Sequence, residues 1–280
     1  LHPQTSHQVY GHPLPKKAQH SPHRHREIIY GAKQQNIVAD TSSPLNDVRK
    51  TRVQAIVGAL LYYGRAVDNK ILVGLNAIGA RQAEATEDTE DAIHQLLDYL
   101  ATYPDDGTVY RASKMVLAAH SDAGFHNETK GRSRAGAHIF LSEDDKIPRF
   151  NGAVLTIAQI IKHVMSSAAE AEMGALFICA KEMLPLRQTL TEMGWQQPRS
   201  PLQCDNSTAV GMTNSTLVPR KAKSWDLRYN WLRDRIAQQQ FRVYWDAGSR
   251  NWGDYSTKHH PPAYHLSHRP LFAGYVYTIY

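Results

Sequence analysis

Apolar positions first fall into a sustained rhythm at 52–66, where Val53, Ile56, Val57, Leu60 and Leu61 recur at helical spacing. Residues 1 to about 50 show no such period. They are rich in His, Pro, Gln and Lys and read as loops, with one short strand at 27–30. A second apolar stretch covers 71–80. A third helix opens near Thr86, where Glu87, Asp88 and Glu90 suit the positive end of the helix dipole. Its buried stripe is Ile93, Leu96, Leu97 and Leu100, and Pro104 and Gly107 end it.

Beyond Gly107 the period changes. Residues 108–111 read as an extended lead-in, 115–120 as the first full strand and 124–131 as a polar turn. Strands follow at 135–141 and within 154–165, rich in β-branched residues. A long helical pattern at 167–184 starts from Ser166 or Ser167 as N-cap, with Glu170 in its first turn. A second short helix ends at 190–195. A strand at 202–204, a helix at 206–214, an amphipathic helix at 225–239 and a strand at 241–245 complete the order β-β-β-α-β-α-β. Three antiparallel strands followed by crossovers predict an α/β mixed sheet with flanking helices, preceded by a small, mostly helical region.

The 280 residues allow one large domain or two ordinary ones. A formal charge of +6 and a pI near 9.2 favour polyanionic partners, nucleic acid first. No apolar run reaches membrane-span length and no signal-peptide pattern opens the chain, so a membrane partner is not expected. Cys179 and Cys204 are too few for a disulfide framework and point to a reducing compartment. The first residue is Leu1, not Met, which reads as a fragment of a longer chain.

Four acids lie at element ends. Asp122 ends the first strand, Glu172 lies in the first turns of the long helix, Asp205 follows the next strand and Asp254 lies beyond the last. Carboxylates at the strand ends of an α/β sheet meet at one edge, where ligands bind. Such a cluster on a basic chain requires cations, and hard oxygen donors suit Mg²⁺. Taken singly, an Asp after a strand is usually a turn or cap residue. A Glu in a first turn is usually a dipole partner. The order D, E, D, D over these elements is what separates them from that background.

The segments carrying these acids resemble copia-type retrotransposon ribonuclease H. His120-Ser-Asp-Ala-Gly124 and Arg132-Ser-Arg-Ala-Gly-Ala-His-Ile-Phe-Leu141 resemble its opening hairpin. Ser167-Ala-Ala-Glu-Ala-Glu-Met173 resembles its S-x-x-E-A-E-Y helix, and Asp205-Asn-Ser207 its D-N-x-x-A segment. Lys223-Ser-Trp-Asp-Leu-Arg-Tyr-Asn-Trp-Leu-Arg233 is similar to its K-H-I-D-I-R-Y-H-F-I-R helix, and Asp254-Tyr-Ser-Thr-Lys258 to its A-D-x-x-T-K ending. Upstream, Val57-Gly-Ala-Leu-Leu-Tyr-Tyr-Gly-Arg65 and Leu97-Asp-Tyr-Leu100 resemble the end of the reverse transcriptase of the same kind of element.

The resemblance implies a fragment of a Pol polyprotein. Residues 1–107 would be the C-terminal thumb or connection part of reverse transcriptase, 108–265 a ribonuclease H-like domain with a mixed five-stranded sheet, and 266–280 a tail. It implies metal-dependent cleavage of the RNA strand of RNA–DNA hybrids, with Asp122, Glu172, Asp205 and Asp254 both catalytic and metal-binding. Two Mg²⁺ ions, with Mn²⁺ as a substitute, would sit about 3.5–4 Å apart. Glu170, two residues from Glu172, points elsewhere on the helix and is expected to serve the helix dipole. Arg132, Arg134, Asn206, Arg220, Lys221, Lys223 and Arg228 are expected to hold a hybrid by its phosphates. The implied partners are that hybrid and the palm and fingers of the same polyprotein. The implied location is a cytoplasmic virus-like particle or the nucleus.

Departures from the family pattern are Ser224 and Asn230, where the family helix has histidines, and the lack of a His in 246–253. A module that binds the hybrid without cutting it is the alternative reading. An integrase-type core needs the order D, D, E and does not fit. Tyr103-Pro-Asp-Asp106 looks like a polymerase motif but has turn composition. His23, His25, His259, His260, His265 and His268 are expected in basic or disordered segments rather than as metal ligands. Trp225, Trp231 and Trp245 are expected in the core.

Overall fold

The structure, a computed structural model, describes residues 11–27, 37–214 and 226–275. Contacts divide the chain into two units, Leu1–Val109 with His259–Tyr280, and Tyr110–Lys258. Most of the strand expected at 27–30 lies outside the described residues.

The first unit is built on three helices. Helix α1 (Asp47–Ala66) starts five residues before the apolar stripe, because the Asn46 side chain caps it by accepting from the Arg49 amide. Helix α2 (Leu72–Gly79) is the second apolar stretch, and α3 (Glu87–Thr102) opens on a capping box between Thr86 and Thr89. Their apolar stripes share one core containing Val53, Ile56, Leu60, Leu75, Ile93, Leu96 and Leu97.

The segment from His259 is part of this unit, which corrects the expectation of a tail at 266–280. It forms helix α7 (Pro262–Phe272) and strand β7 (Ala273–Tyr275), which pairs antiparallel with β1 (Asp106–Thr108). Arg269 grips Asp106 with two nitrogens at 2.7 and 2.8 Å and lies over the Tyr103 ring. Lys70, fully buried, meets Asp68 at 2.6 Å and Asp106 at 3.4 Å. Buried charges of this kind persist only when paired, so Tyr103-Pro-Asp-Asp106 serves as an anchor for the returning chain. His259, His260 and His265 are buried rather than in a solvated segment, with the His23 ring 4.5 Å from His259 and 5.0 Å from His265.

The second unit is a five-stranded mixed sheet in the order β4-β3-β2-β5-β6. Strands β2 (Val116–Glu128), β3 (Arg132–Ser142) and β4 (Ala153–Ile160) form an antiparallel meander. Helix α4 (Ala168–Glu192) crosses to β5 (Ser200–Cys204), which lies parallel to β2. Helices α5 (Ser207–Thr213) and α6 (Asp226–Ala237) lead to β6 (Phe241–Trp245), parallel to β5. This is the mixed five-stranded sheet with flanking helices expected from the sequence.

Two boundaries differ from expectation. β2 does not stop at His120 but continues through the polar run, with a register shift between Gly124 and Glu128 and His126 at φ 52°. A bulge keeps the strand going where composition suggests a turn. Helix α4 also runs unbroken through Pro185, so no second short helix precedes Trp195. Packing in the core between α4 and the sheet, which includes Leu117, Ile139, Leu176, Met183, Leu202 and Phe241, keeps the helix going past the proline.

Gly136 faces Asp122 across the β2–β3 ladder. A Cβ there would meet Thr257 Cγ2 at 2.5 Å and the Gly253 carbonyl at 2.6 Å. The loop after β6 thus lies directly on the sheet, and only glycine permits it. Gly136→Ala is expected to cost about 1–3 kcal/mol by overpacking. Urea denaturation of the two proteins checks this, and an unchanged midpoint would contradict the packing described.

Candidate metal centre

Asp122 lies two residues beyond the last β2–β5 pair, His120↔Gln203, and Asp205 lies two residues beyond it on the other strand. Parallel pairing therefore delivers both carboxylates to the same sheet edge. Glu172 comes from the second turn of α4. Ser167 caps that helix by accepting from the Glu170 amide, at 3.1 Å. The Glu170 carboxylate turns back to accept from the Ser166 amide at 2.7 Å and from its hydroxyl at 2.6 Å. Glu172 is buried and points to the sheet, where Oε1 accepts from the Ala123 amide at 3.3 Å. The two glutamates divide as their helical spacing predicts.

Asp254 arrives on a loop tied to β2. The Asn251 side chain donates to the Ser121 carbonyl at 2.8 Å and accepts from the Gly253 amide at 3.0 Å. The Trp252 amide donates to His120 Nδ1 at 3.3 Å, and the Asn127 amide group donates to the Thr257 carbonyl at 2.6 Å. A Cβ on Gly253 would come within 2.9 Å of the Asp122 amide. These contacts bracket Asp122 and bring Asp254 to it.

The acids are brought close together. Ligand atoms of Glu172, Cys204 and Asp205 lie within 4.8 Å of one another. Lys258 spans Asp254, with which it forms a close ion pair, and Asp122, 3.8 Å away. The Thr257 hydroxyl donates to Asp122. Burial pushes Asp122 up to about 6, with Lys258 opposing and Asp254 and Asp205 adding to the rise. Glu172 is held well above the usual carboxylate range by burial, then by Asp122 and Asp205. Asp205 is raised by burial, opposed by Lys258 and aided by Asp254. Asp122, Glu172 and Asp205 thus each feel others of the set, and like charges this close are relieved either by a bound proton or by a neighbouring cation.

Cys204, beside Glu172 with Sγ 3.7 Å from Oε2, is kept protonated by burial and by that carboxylate. His120 and His138, paired across β2 and β3, are pushed down to about 3 and about 4 by burial, and so are neutral.

The expected phosphate contacts fare differently. Arg134 is fully buried, 2.7 Å from Glu128 and donating to the Ala158 carbonyl at 3.2 Å. It is a structural ion pair and not a surface contact, a correction to the expectation. Arg132 is partly exposed and bonded to Thr129, while Asn206 caps α5 through the Ala209 amide. Arg228 is partly exposed on α6. Arg220, Lys221, Lys223 and Trp225 lie outside the described residues. Trp245, expected in the core, is 55% exposed and donates its indole N–H to the Asp205 carbonyl at 2.9 Å.

Sequence reasoning missed Thr257 and Lys258 as partners of the acids. Their signal was spacing: Lys258 is four residues after Asp254, and the two meet as an i,i+4 pair.

No family model matches the chain. It is 23% identical over 212 residues, 76% of its length, to a retrovirus-related Pol polyprotein from transposon TNT 1-94 of Nicotiana tabacum, and it spans 15% of that protein. Among solved structures, it aligns with LC11-RNase H1 from compost at a TM-score of 0.40 and 12% identity, over 51% of this chain and 93% of that one. The N-terminal RNase H domain of a Mycobacterium tuberculosis protein aligns at a TM-score of 0.35 and 16% identity, over 51% and 91%.

An aspartate whose ordinary value is near 3.9 but which titrates at about 6 in the fold keeps a proton that the unfolded chain has lost between those values. The contribution of Asp122 to the stability of the chelator-treated protein is therefore expected to fall as pH rises from about 4 to about 6. Asp122→Asn should flatten that fall. Thermal melting across this range measures it, and equal slopes for the two proteins would contradict the burial of Asp122 among like charges.

Proposed function

We propose that this chain, related in sequence to retrotransposon Pol polyproteins, is of the copia type and that its second unit is a ribonuclease H. It cleaves the RNA strand of RNA–DNA hybrids endonucleolytically with divalent metal. The observation that carries this reading is the meeting of Asp122, Glu172, Asp205 and Asp254 at one sheet edge, with three of them raised by burial and by one another's charge.

The donor set fits Mg²⁺. It consists of hard carboxylate oxygens, and the neighbouring thiol of Cys204 is held protonated. Asp122, Glu172, Asp205 and Asp254 would hold the ions. Bound Mg²⁺ would supply Lewis acidity toward the phosphodiester and lower the pKa of an attacking water. No protein nucleophile is assigned, since Cys204 and Ser121 are both buried.

Around the acids, the chain's part is positioning. Thr257 fixes one Asp122 oxygen, and the Ala123 amide fixes one of Glu172. Asn251 and Gly253 hold the Asp254 loop to β2. Arg132, Asn206 and Arg228 lie on or near the elements that carry the acids and are assigned to the hybrid's backbone, read by charge and shape rather than by base. The first unit is assigned to the C-terminal part of reverse transcriptase, with the palm and fingers of the polyprotein as its partners. Among the described residues, no helix is long and apolar enough to cross a membrane. The cytoplasmic virus-like particle or the nucleus is the assigned location.

With Mg²⁺, the chain is expected to cut a labelled RNA strand internally when it is paired to DNA and to leave duplex DNA intact. Asp122→Asn and Glu172→Gln should each slow cutting by at least about 100-fold, the scale of losing a group that stabilises transition-state charge. Gel analysis of the labelled strand decides. Hybrid bound but uncut in both Mg²⁺ and Mn²⁺ would replace this reading with that of a binding module.

A further inference from the structure

The acids have a partner within the chain. The Lys258 ammonium pairs closely with one Asp254 oxygen and lies 3.8 Å from Asp122 Oδ2, on a side chain only 18% exposed. Nothing in the proposed hydrolysis requires a fixed lysine there. Its charge reaches the whole set and pulls the pKa values of Asp122, Glu172 and Asp205 downward.

Two constraints define its position. The backbone around it is pinned, since Thr257 donates to Asp122 through its hydroxyl and accepts from Asn127 through its carbonyl. The ammonium, in contrast, sits on a flexible four-carbon stem and can leave without moving that backbone. A divalent ion held by Asp122 and Asp254 would draw on the same two carboxylates that Lys258 engages through Asp254 Oδ1 and Asp122 Oδ2. An ammonium held against those oxygens repels a divalent ion at close range, and in a site largely withdrawn from water that repulsion is only weakly screened, so each cation weakens the hold of the other.

We propose that Lys258 is a tethered counter-cation that competes with divalent metal for the Asp122–Asp254 pair and so sets the Mg²⁺ concentration at which the site fills. This rests on the metal reading of the four acids given above. Metal binding then drives the ammonium to swing out. The residue is a positioning residue, balancing the buried carboxylates whenever the ion is not bound. Four carboxylates against one ammonium leave a net negative site, so metal is still attracted, but at a higher threshold.

The test is a Mg²⁺ titration of thermal stability with wild type, Lys258→Met and Lys258→Arg, joined to mass-spectrometric measurement of Lys258 acetylation in the wild-type chain. In chelator, Lys258→Met is expected to melt below wild type. Its Mg²⁺ midpoint should be lower by about tenfold, a typical coupling between ligands that weaken each other, while Lys258→Arg stays close to wild type. Acetylation of Lys258 should speed up as Mg²⁺ is added. A Lys258→Met midpoint equal to or above that of wild type, or acetylation unaffected by Mg²⁺ that does stabilise the chain, would overturn the competition. If Mg²⁺ stabilises neither wild type nor Lys258→Met, the metal reading itself fails. The acetylation arm needs no variant, so it decides even if Lys258→Met does not fold.

Discussion

Mutual repulsion among carboxylates withdrawn from water is the constraint on which the second unit turns. Asp122 and Glu172 are almost wholly buried, and Asp205 and Asp254 are partly so. A fold does not gather such groups without compensation, because desolvation and like charge both oppose ionisation. Here the compensation is local: the Lys258 ammonium, the Thr257 hydroxyl and the Ala123 amide. They reduce the penalty without removing it, which is why Asp122, Glu172 and Asp205 remain raised above the usual carboxylate range. A site left short of positive charge attracts cations, and the proposed metal reading rests on that attraction.

The architecture serves that arrangement directly. Parallel pairing of β5 with β2 brings Asp205 beside Asp122, and the crossover helix between β4 and β5 carries Glu172 over the same edge. The fourth acid depends on irregular chain and needs the most support. Gly136 and Gly253 let the loop approach the sheet to a distance that a methyl group would forbid, and Asn251 stitches it to β2. The scaffold is regular where strands suffice and glycine-dependent where they do not.

Much of this was legible in the residues. The positions of the acids follow from periodicity, since β6 occupies the 241–245 predicted and Ser167 and Thr86 cap their helices. That Glu170 and Glu172 point apart follows from helical geometry, while the choice between them comes from the family resemblance. What escaped was tertiary. The run 124–131 has turn composition, yet a bulge carries β2 through it. Pro185 looks like a helix end, but packing against the sheet overrides it. Arg134 reads as a phosphate contact because nothing local reveals that Glu128 lies beside it in the interior. Residues beyond 258 look like a basic tail, but they join the first unit through Asp106 and Arg269, partners 163 residues apart.

The most direct test of the central claim is location, not rate. Crystals soaked in Mn²⁺ give an anomalous signal that marks the ion independently of any assay. The account predicts Mn²⁺ bound by oxygens of Asp122, Glu172, Asp205 and Asp254, at about 2.0–2.2 Å as expected for hard octahedral ions. Mn²⁺ bound elsewhere, with these four carboxylates free of metal at saturating concentration, would contradict it.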